Sequence, residues 1–192
     1  IGETCEALLD LDYPDYEVIV IDDGSQDATG AIASRFGFKV VSTENRGLSA
    51  ARNTGLEAAT GEIVAYVDDD AAPDPHWLRY LVHTFETTEV AAVGGPNIPP
   101  VDDPPTAACV ARAPGGPNHL HLSDTEAEHT PRCNLAFRRD ALMEIGGFDE
   151  EIEYYLDESW ADHLRRFDRF TAADADLRER RHAFHLGAEP PK

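Results

Sequence analysis

Short apolar runs alternate with helix-like segments along the first hundred residues, and this alternation limits the possible folds more than any other feature. Four runs rich in β-branched residues are typical of strands buried on both faces: YEVIVI (16–21), FKVVST (38–43), EIVAYV (62–67) and EVAAVGG (89–95). Four segments have helical spacing: ETCEALLDL (3–11), DATGAIASRFG (27–37), GLSAARNTGLEAAT (47–60) and PHWLRYLVHTFET (75–87). Buried strands that alternate with helices predict an α/β domain with a mostly parallel sheet.

The remainder of the chain is less regular. Residues 96–131 are rich in proline, glycine and polar residues, so we predict irregular loops with room for one strand. RRDALMEIGGF (138–148) predicts a helix that ends at its glycine pair. Beyond about residue 160 the sequence is rich in arginine and aspartate and has too little periodicity for an assignment. We expect a single domain over residues 1–192, with halves of different character at 1–100 and 101–192.

The chain is strongly acidic. It has 37 acidic and 16 basic residues, which gives a formal net charge of −21. A surface of this charge disfavours nucleic acid and anionic membranes as general partners. Any phosphorylated ligand must therefore be held locally by a cation, by arginines or by backbone amides. The same excess of acidic residues also fits an adaptation for solubility or for high salt.

The cysteines and apolar runs indicate the compartment. Cys5, Cys109 and Cys133 are odd in number and lack a C-x-x-C spacing, which argues against a disulfide framework or a zinc ribbon. A reducing, cytoplasmic location is expected, with peripheral attachment at the inner face of the membrane as the alternative. No apolar run approaches the length of a membrane span, and no signal-peptide pattern opens the chain. Because the chain begins at Ile1 rather than methionine, we expect a fragment of a longer protein.

Acidic residues follow two of the predicted strands. Asp22 and Asp23 end the run YEVIVI, and Asp68, Asp69 and Asp70 (the aspartate triplet) follow EIVAYV. Ligands of open parallel sheets bind beyond the carboxyl ends of the strands, so the fold is expected to bring these two groups together. Adjacent carboxylates repel one another unless a cation or solvent offsets their charge. The pattern predicts a metal-assisted site for a phosphorylated ligand; for either group alone, solvated turn residues are the alternative.

Two arginines lie between the acidic groups, in ENRGLSAARNTGLEAAT (44–60). Gly47 suits a tight turn into the following helix, whose N-terminal amides can face an anion. A guanidinium matches the geometry of phosphate and carboxylate, so Arg46 and Arg52 are candidates for holding a diphosphate or orienting the aspartates. A surface salt bridge is the alternative for each, and we favour a site role for Arg52.

Three segments in this order resemble the family 2 glycosyltransferases of GT-A fold: EVIVIDDGSQDAT (17–29), ENRGLSAARNTGLEAATGEIVAYVDDD (44–70) and NLAFRRDALMEIGGFDE (134–150). The resemblance spans about residues 3–158 and implies a Rossmann-like three-layer sandwich. It implies transfer of a sugar from a nucleotide-diphosphate sugar to the hydroxyl of a saccharide, lipid or other acceptor, with inversion at the anomeric carbon. Residues 1–100 would then bind the nucleotide sugar, and residues 101–192 would form the acceptor side.

The resemblance also implies roles for the acidic residues. The first pair helps to hold the nucleoside, and the triplet contacts the nucleotide sugar. The last carboxylate of the triplet, Asp70, binds Mg²⁺ or Mn²⁺, which stabilises charge on the diphosphate. The predicted nucleotide-sugar-binding residues are Asp22, Asp23, Arg52, Asp68 and Asp69.

The general base of such enzymes is a carboxylate in a short acidic motif, and the match here is EYYLDES (153–159). Glu158 aligns more closely with the usual base, and Asp157 is the fallback. Two departures from the family pattern accompany this match. The chain lacks the usual first strand, which lines the nucleoside pocket, and its sequence from about residue 160 does not follow the expected leucine-rich helix.

Two other functions compete with an active transferase. A truncated, non-catalytic remnant that binds a nucleotide is the first, because the usual first strand is missing. A receiver-like phospho-acceptor module is the second, because it also collects aspartates at parallel strand ends. That module needs a lysine after a late strand, and neither Lys39 nor Lys192 is suitably placed.

Overall fold

The computed structural model describes residues 1–95, 120–121, 126–129, 133–150 and 184–186. The helices within these ranges are α1 (Gly2–Leu9), α2 (Thr29–Ala33), α3 (Leu48–Ala58), α4 (Trp77–Thr87) and α5 (Arg139–Glu144). The strands are β1 (Ile19–Asp23), β2 (Lys39–Thr43), β3 (Ile63–Tyr66), β4 (Ala92–Gly94), β5 (Leu120–His121), β6 (Glu126–His129), β7 (Leu135–Arg138) and β8 (Phe184–Leu186). A 3₁₀ turn (Ser34–Phe36) follows α2. Every strand and helix predicted for the first 95 residues is therefore confirmed.

The strands form two sheets. β1 and β2 pair in parallel, and the larger sheet has the order β3-β7-β4-β8-β6-β5. β7 is antiparallel to both β3 and β4, so those two strands run in the same direction, as the alternation predicts. β4 and β8 are also parallel, whereas β6 is antiparallel to β5 and β8. The expectation of a mostly parallel arrangement is therefore confirmed in strand direction: β3, β4, β5 and β8 run the same way, and β6 and β7 run opposite to them.

The four strands that follow residue 95, β5 to β8, differ from the sequence interpretation. β5 and β6 give two short strands in the region where one was expected, and β8 lies in the tail that received no assignment. β7 occupies residues that precede the predicted helix, which begins only at Arg139. A single short strand inserted between two neighbours has no periodicity of its own that a sequence pattern could reveal.

The larger sheet is covered on both faces because successive side chains along a strand point to opposite faces of the sheet. On one face, Ile63 and Ala65 of β3 pack against a core formed with α1 and α4. On the other face, Val64 and Tyr66 pack against α3 and α5. The buried residues of the first face are Leu8, Leu11, Trp77, Leu81, Phe85, Val93 and Ala136. Helices on either side of a sheet give the three-layer arrangement that the resemblance implies.

Helix α3 connects the two sheets. A Cβ atom on Gly55 would lie 3.5 Å from the side chain of Ile21 in β1, so the helix approaches that strand closely. The next residue, Leu56, is buried with Val64 of β3. β1 and β3 are edge strands of their sheets, and no strand lies between them among the described residues.

Within the part of the chain that the structure describes, no helix is both long enough and apolar enough to cross a membrane.

Candidate functional site

Asp23, the last residue of β1, holds the loop that leads into α3. Its carboxylate accepts hydrogen bonds from the Thr43 hydroxyl at 2.9 Å and from the backbone amide of Arg46 at 3.1 Å. The amide of Gly47 donates to the second carboxylate oxygen at 2.8 Å. Partial burial opposes the charge on Asp23, but these hydrogen bonds outweigh it and lower the pKa of the carboxyl below its usual 3.8. The loop therefore has an ionised carboxylate at its centre.

This lowered pKa predicts how stability depends on pH. A carboxyl with a lower pKa in the folded state than in the unfolded state contributes stability above its unfolded pKa and loses it as pH falls through the folded value. The difference in urea midpoint between the natural protein and Asp23→Asn should be full at pH 5–7 and should shrink below pH 3.8. A difference that stays constant down to pH 3 would contradict the assigned hydrogen bonds.

Asp22 supports the turn that follows β1. Its carboxylate accepts a hydrogen bond from the amide of Ser25, three residues along the chain, at 3.0 Å, which closes this turn. Gly24 within this turn has φ 77° and lies against Asn45, so the turn packs directly on the loop held by Asp23. The two aspartates therefore shape one continuous surface from two loops.

The two arginines have different surroundings. Arg46 is exposed, and besides its amide contact its guanidinium donates to the Thr54 hydroxyl at 3.3 Å. The guanidinium of Arg52 lies over two aromatic rings, 5.9 Å from the centroid of Tyr66 and 5.4 Å from that of Phe148. Cation–π contacts of this kind stabilise by about 0.5–1 kcal/mol at exposed sites. The guanidinium of Arg52 thus lies close to Tyr66, the last residue of β3. Tyr66 precedes the first residue of the triplet, Asp68, by two positions.

Tyr66 anchors the end of β3. Its hydroxyl donates to the backbone carbonyl of Arg52 at 3.3 Å, and its ring meets Phe137 and Phe148 edge to face. Burial raises the pKa of Tyr66 to about 12, although the nearby Arg52 lowers it, so the phenol stays protonated and remains a donor at neutral pH. These contacts bring α3 and the end of β3 together.

Asn53 is a residue that the sequence interpretation missed. Its side-chain oxygen accepts the amide of Phe148 at 2.7 Å, and its nitrogen donates to the carbonyl of Phe148 at 2.8 Å. The same nitrogen donates to a carboxylate oxygen of Glu150 at 2.9 Å. Asn53 therefore fastens the segment 147–150 to α3 from almost a hundred residues away. An asparagine inside a helix, where its helix propensity is low, was the signal available in the sequence.

The aspartate triplet forms a turn just after β3. The amide of Ala71 donates to the carbonyl of Asp68 at 3.2 Å, and the buried Thr4 of α1 donates its hydroxyl to the carbonyl of Asp69 at 2.7 Å. Asp68 is half-buried, whereas Asp69 and Asp70 are exposed. The carboxylates of Asp69 and Asp70 therefore face solvent at the end of a buried strand.

The donor set at the triplet fits a divalent ion only in part. Among the described residues, no group of three or more His, Cys, Asp or Glu side chains is arranged to hold a metal. Mg²⁺ is commonly held by one or two carboxylates together with phosphate oxygens and water. The exposed carboxylates fit that arrangement, in which a diphosphate would complete the coordination.

The predicted general bases were not tested by the structure. Glu158 and Asp157 lie outside the described residues. The contacts described above hold each of the two acidic groups in place separately. That Asp22 and Asp23 lie close in space to the aspartate triplet stays a prediction.

Comparison with family models identifies what the chain is similar to. A model described as glycosyl transferase family 2 matches residues 1–146, which contain both acidic groups. A second model, described as a transmembrane secretion effector, matches residues 139–192, a minority of the chain that lies mostly outside the described ranges. The family 2 match ends before Asp157 and Glu158.

Two curated relatives come from Haloferax volcanii. A glucosyl-dolichyl phosphate glucuronosyltransferase is 33% identical over 164 residues, covering 77% of this chain and 50% of the relative. Glycosyltransferase AglE is 31% identical over 170 residues, covering 83% of this chain and 55% of the relative. The chain thus spans about half the length of these relatives.

Two solved structures have a similar fold. A Pyrobaculum calidifontis mannosyltransferase in complex with GDP-Man and Mn²⁺ has a TM-score of 0.59 at 29% identity, covering 79% of this chain and 44% of the other. Residues 1–349 of TarS from S. aureus give a TM-score of 0.63 at 21% identity, covering 99% of this chain and 54% of that chain. Both are GT-A proteins, so the fold class expected from the sequence is confirmed.

Proposed function

Because this chain belongs to glycosyl transferase family 2, we propose that it transfers a sugar from a nucleotide-diphosphate sugar to an acceptor hydroxyl. The observation that carries the proposal is the family match over residues 1–146, which includes both acidic groups and the loop between them. Since the chain spans about half of its curated relatives, its activity, donor and acceptor are all part of the proposal. The family assignment leaves no support for the receiver-like alternative.

The donor side is built from the two acidic strand ends. Asp22 and Asp23 shape the loops that would hold the nucleoside, since their carboxylates fix the turn at Gly24 and the amides of Arg46 and Gly47. Asp68 and Asp69 are proposed to contact the nucleotide sugar. Arg52, which lies beside Tyr66, is proposed to hold the diphosphate through its guanidinium.

A divalent ion, Mg²⁺ or Mn²⁺, is proposed to bind at Asp70. The exposed carboxylate of this residue is suited to a hard cation, and a structurally similar mannosyltransferase is a complex with GDP-Man and Mn²⁺. When bound, such an ion stabilises the negative charge that develops on the diphosphate as the glycosidic bond breaks. The protein's part is to present Asp70 at a fixed position near the diphosphate.

The acceptor side completes the proposal. Glu158, with Asp157 as the fallback, would take the proton from the acceptor hydroxyl. Attack from the face opposite the leaving group would invert the anomeric carbon. The acceptor would be a saccharide, a lipid or another hydroxyl compound, and the net charge of −21 argues against nucleic acid. A reducing, cytoplasmic compartment is part of the proposal, and the buried Cys5 is present as a free thiol.

Thermal unfolding with nucleotides tests the donor site directly. A nucleoside diphosphate, UDP or GDP in separate titrations, should raise the melting temperature more with Mn²⁺ than with EDTA. A ligand at 100 times its Kd stabilises the folded state by about 2.7 kcal/mol. Asp70→Asn should abolish the Mn²⁺-dependent part of this shift, because the amide has no charge with which to hold the ion.

A matched variant separates a specific effect from a general loss of charge. Asp15→Asn removes one exposed carboxylate elsewhere on the surface and should keep the full Mn²⁺-dependent shift. If neither UDP nor GDP shifts the natural protein in Mn²⁺, the donor-site proposal fails. If a nucleotide binds but no sugar is transferred from UDP- or GDP-sugars, the chain is the non-catalytic remnant instead. That outcome would be consistent with a family match that ends at residue 146.

A further inference from the structure

Thr4 contacts the aspartate triplet from 65 residues away in the chain. Its side-chain oxygen lies 2.7 Å from the carbonyl oxygen of Asp69, in the geometry of a donated hydrogen bond. The residue is only 4% exposed, and it is one of two buried polar residues among those that the structure describes. A buried hydroxyl is costly unless it is paired, so this contact is a specified feature of the fold.

The donor end of this hydrogen bond is held by the core. Thr4 belongs to α1, and Leu8, one turn further along that helix, packs with Trp77, Leu81 and Phe85. A helix anchored through buried side chains presents its hydroxyl at a fixed position. The contact therefore joins the rigid core to an otherwise exposed acidic turn.

The acceptor end of the hydrogen bond fixes a peptide plane. The carbonyl carbon and oxygen of Asp69 are coplanar with the nitrogen and Cα of Asp70, because the peptide bond between them is planar. Holding the carbonyl oxygen of Asp69 thus limits the direction from which the Asp70 side chain extends. The second contact of this turn, from the amide of Ala71 to the carbonyl of Asp68, restrains its other side.

We propose that Thr4 is a positioning residue for metal binding, which acts by fixing the Asp69–Asp70 peptide plane so that the Asp70 carboxylate points towards a divalent ion. The inference rests on the proposed function, since it assumes a metal at Asp70. Three neighbouring carboxylates repel one another and spread apart in solution, so a cation binds better when the backbone already holds one of them in place. Hydrogen bonds that orient a metal ligand commonly change metal affinity by about 10–100-fold. Thr4 acts on the backbone rather than on the carboxylate itself, so a smaller change is expected.

The test measures Mn²⁺ affinity instead of activity. Mn²⁺ is titrated into the 192-residue chain with saturating UDP or GDP, and free Mn²⁺ is followed by electron paramagnetic resonance. The Mn²⁺ bound by the nucleotide alone, measured in a titration without protein, is subtracted. Thr4→Val keeps the shape of the side chain but removes the hydroxyl, and it should weaken Mn²⁺ binding by about 3–10-fold. Thr4→Ser restores the donor and should stay within about twofold of the natural protein.

Thr84→Val is the matched control. Thr84 is equally buried, at 4% exposure, but its hydroxyl donates to Tyr80 within α4 at 3.1 Å. Its replacement should leave Mn²⁺ affinity unchanged whatever it does to the melting temperature. If Thr4→Val is too unstable to measure, Thr4→Ala removes the same hydroxyl without a second methyl group, and the same loss is expected.

The outcomes separate this inference from the proposed function. If the natural protein fails to bind Mn²⁺ both in the presence of UDP and in the presence of GDP, the metal site and the inference both fail. If it binds Mn²⁺ and the hydroxyl-free variants bind it equally well, only the inference is overturned, and Thr4 has a purely structural role. Weak binding by Thr4→Ser would also overturn it, because the hydroxyl would not be the group responsible.

Discussion

Replacing Gly147 with alanine is expected to lower the free energy of unfolding by about 3 kcal/mol, because two costs act together. The backbone at this position has φ 79°, a left-handed conformation that costs an alanine about 1–2 kcal/mol. The added Cβ would also lie 2.5 Å from the side-chain oxygen of Asn53. That side chain would have to move, and its paired hydrogen bonds to Phe148 would be lost. Urea unfolding at pH 7 measures the change.

The neighbouring glycine supplies the control. Gly146 has φ 86°, but a Cβ there would meet nothing within 4 Å, so Gly146→Ala should show the backbone cost alone. In an Asn53→Ala background the steric cost should disappear, and Gly147→Ala should then cost no more than Gly146→Ala. Equal losses for Gly146→Ala and Gly147→Ala in the natural background would show that Asn53 does not hold the 147–150 segment.

Gly24→Ala is expected to destabilise the protein by a similar amount, about 3 kcal/mol, and to weaken nucleotide binding as well. Its φ is 77°, and an added Cβ would lie 2.7 Å from the backbone nitrogen of Asn45. A backbone atom cannot rotate away as a side chain can, so the turn after β1 and the loop before α3 would have to separate. Because Asp22 and Asp23 shape these two loops, UDP or GDP should stabilise the variant less than the natural protein in a thermal shift.

Gly37→Ala distinguishes this effect from backbone strain. Gly37 has φ 75° and open space around it, so its replacement should cost about 1–2 kcal/mol and leave the nucleotide-dependent shift unchanged. A loss of nucleotide binding in both variants, or in neither, would contradict the close packing of the two loops as the basis of the donor site.

Most of the fold of the first 95 residues could be predicted from sequence because each element there has its own periodic signal. β1 and β3 lie within apolar runs, β2 is rich in β-branched residues, and α4 carries its buried residues at helical spacing. β7 had no such signal. It is specified by its neighbours: Leu135 and Ala136 are buried between β3 and β4, and the guanidinium of Arg138 donates to the carbonyls of Phe85, Thr88 and Val90.

The candidate site shows the same division. Its acidic residues were predicted because charge at the end of an apolar strand is visible in a linear sequence. The contacts around them were not predicted. Thr4 contacts the triplet from 65 residues away, and Asn53 of α3 holds the segment 147–150 through contacts that reach 97 residues along the chain. No local pattern records a partner so distant.

The sequence by itself determined the α/β class, the family and the acidic groups at the ends of two strands, because periodicity, composition and short motifs are local properties. Only the tertiary structure decided how those groups are supported. In the folded protein, Asp23 accepts hydrogen bonds from the loop before α3, and Arg52 lies over the rings of Tyr66 and Phe148. Thr4 donates a hydrogen bond to the carbonyl of Asp69. The physical reason is that hydrogen bonds and ring contacts of this kind depend on distances in space, which chain folding sets and sequence separation does not.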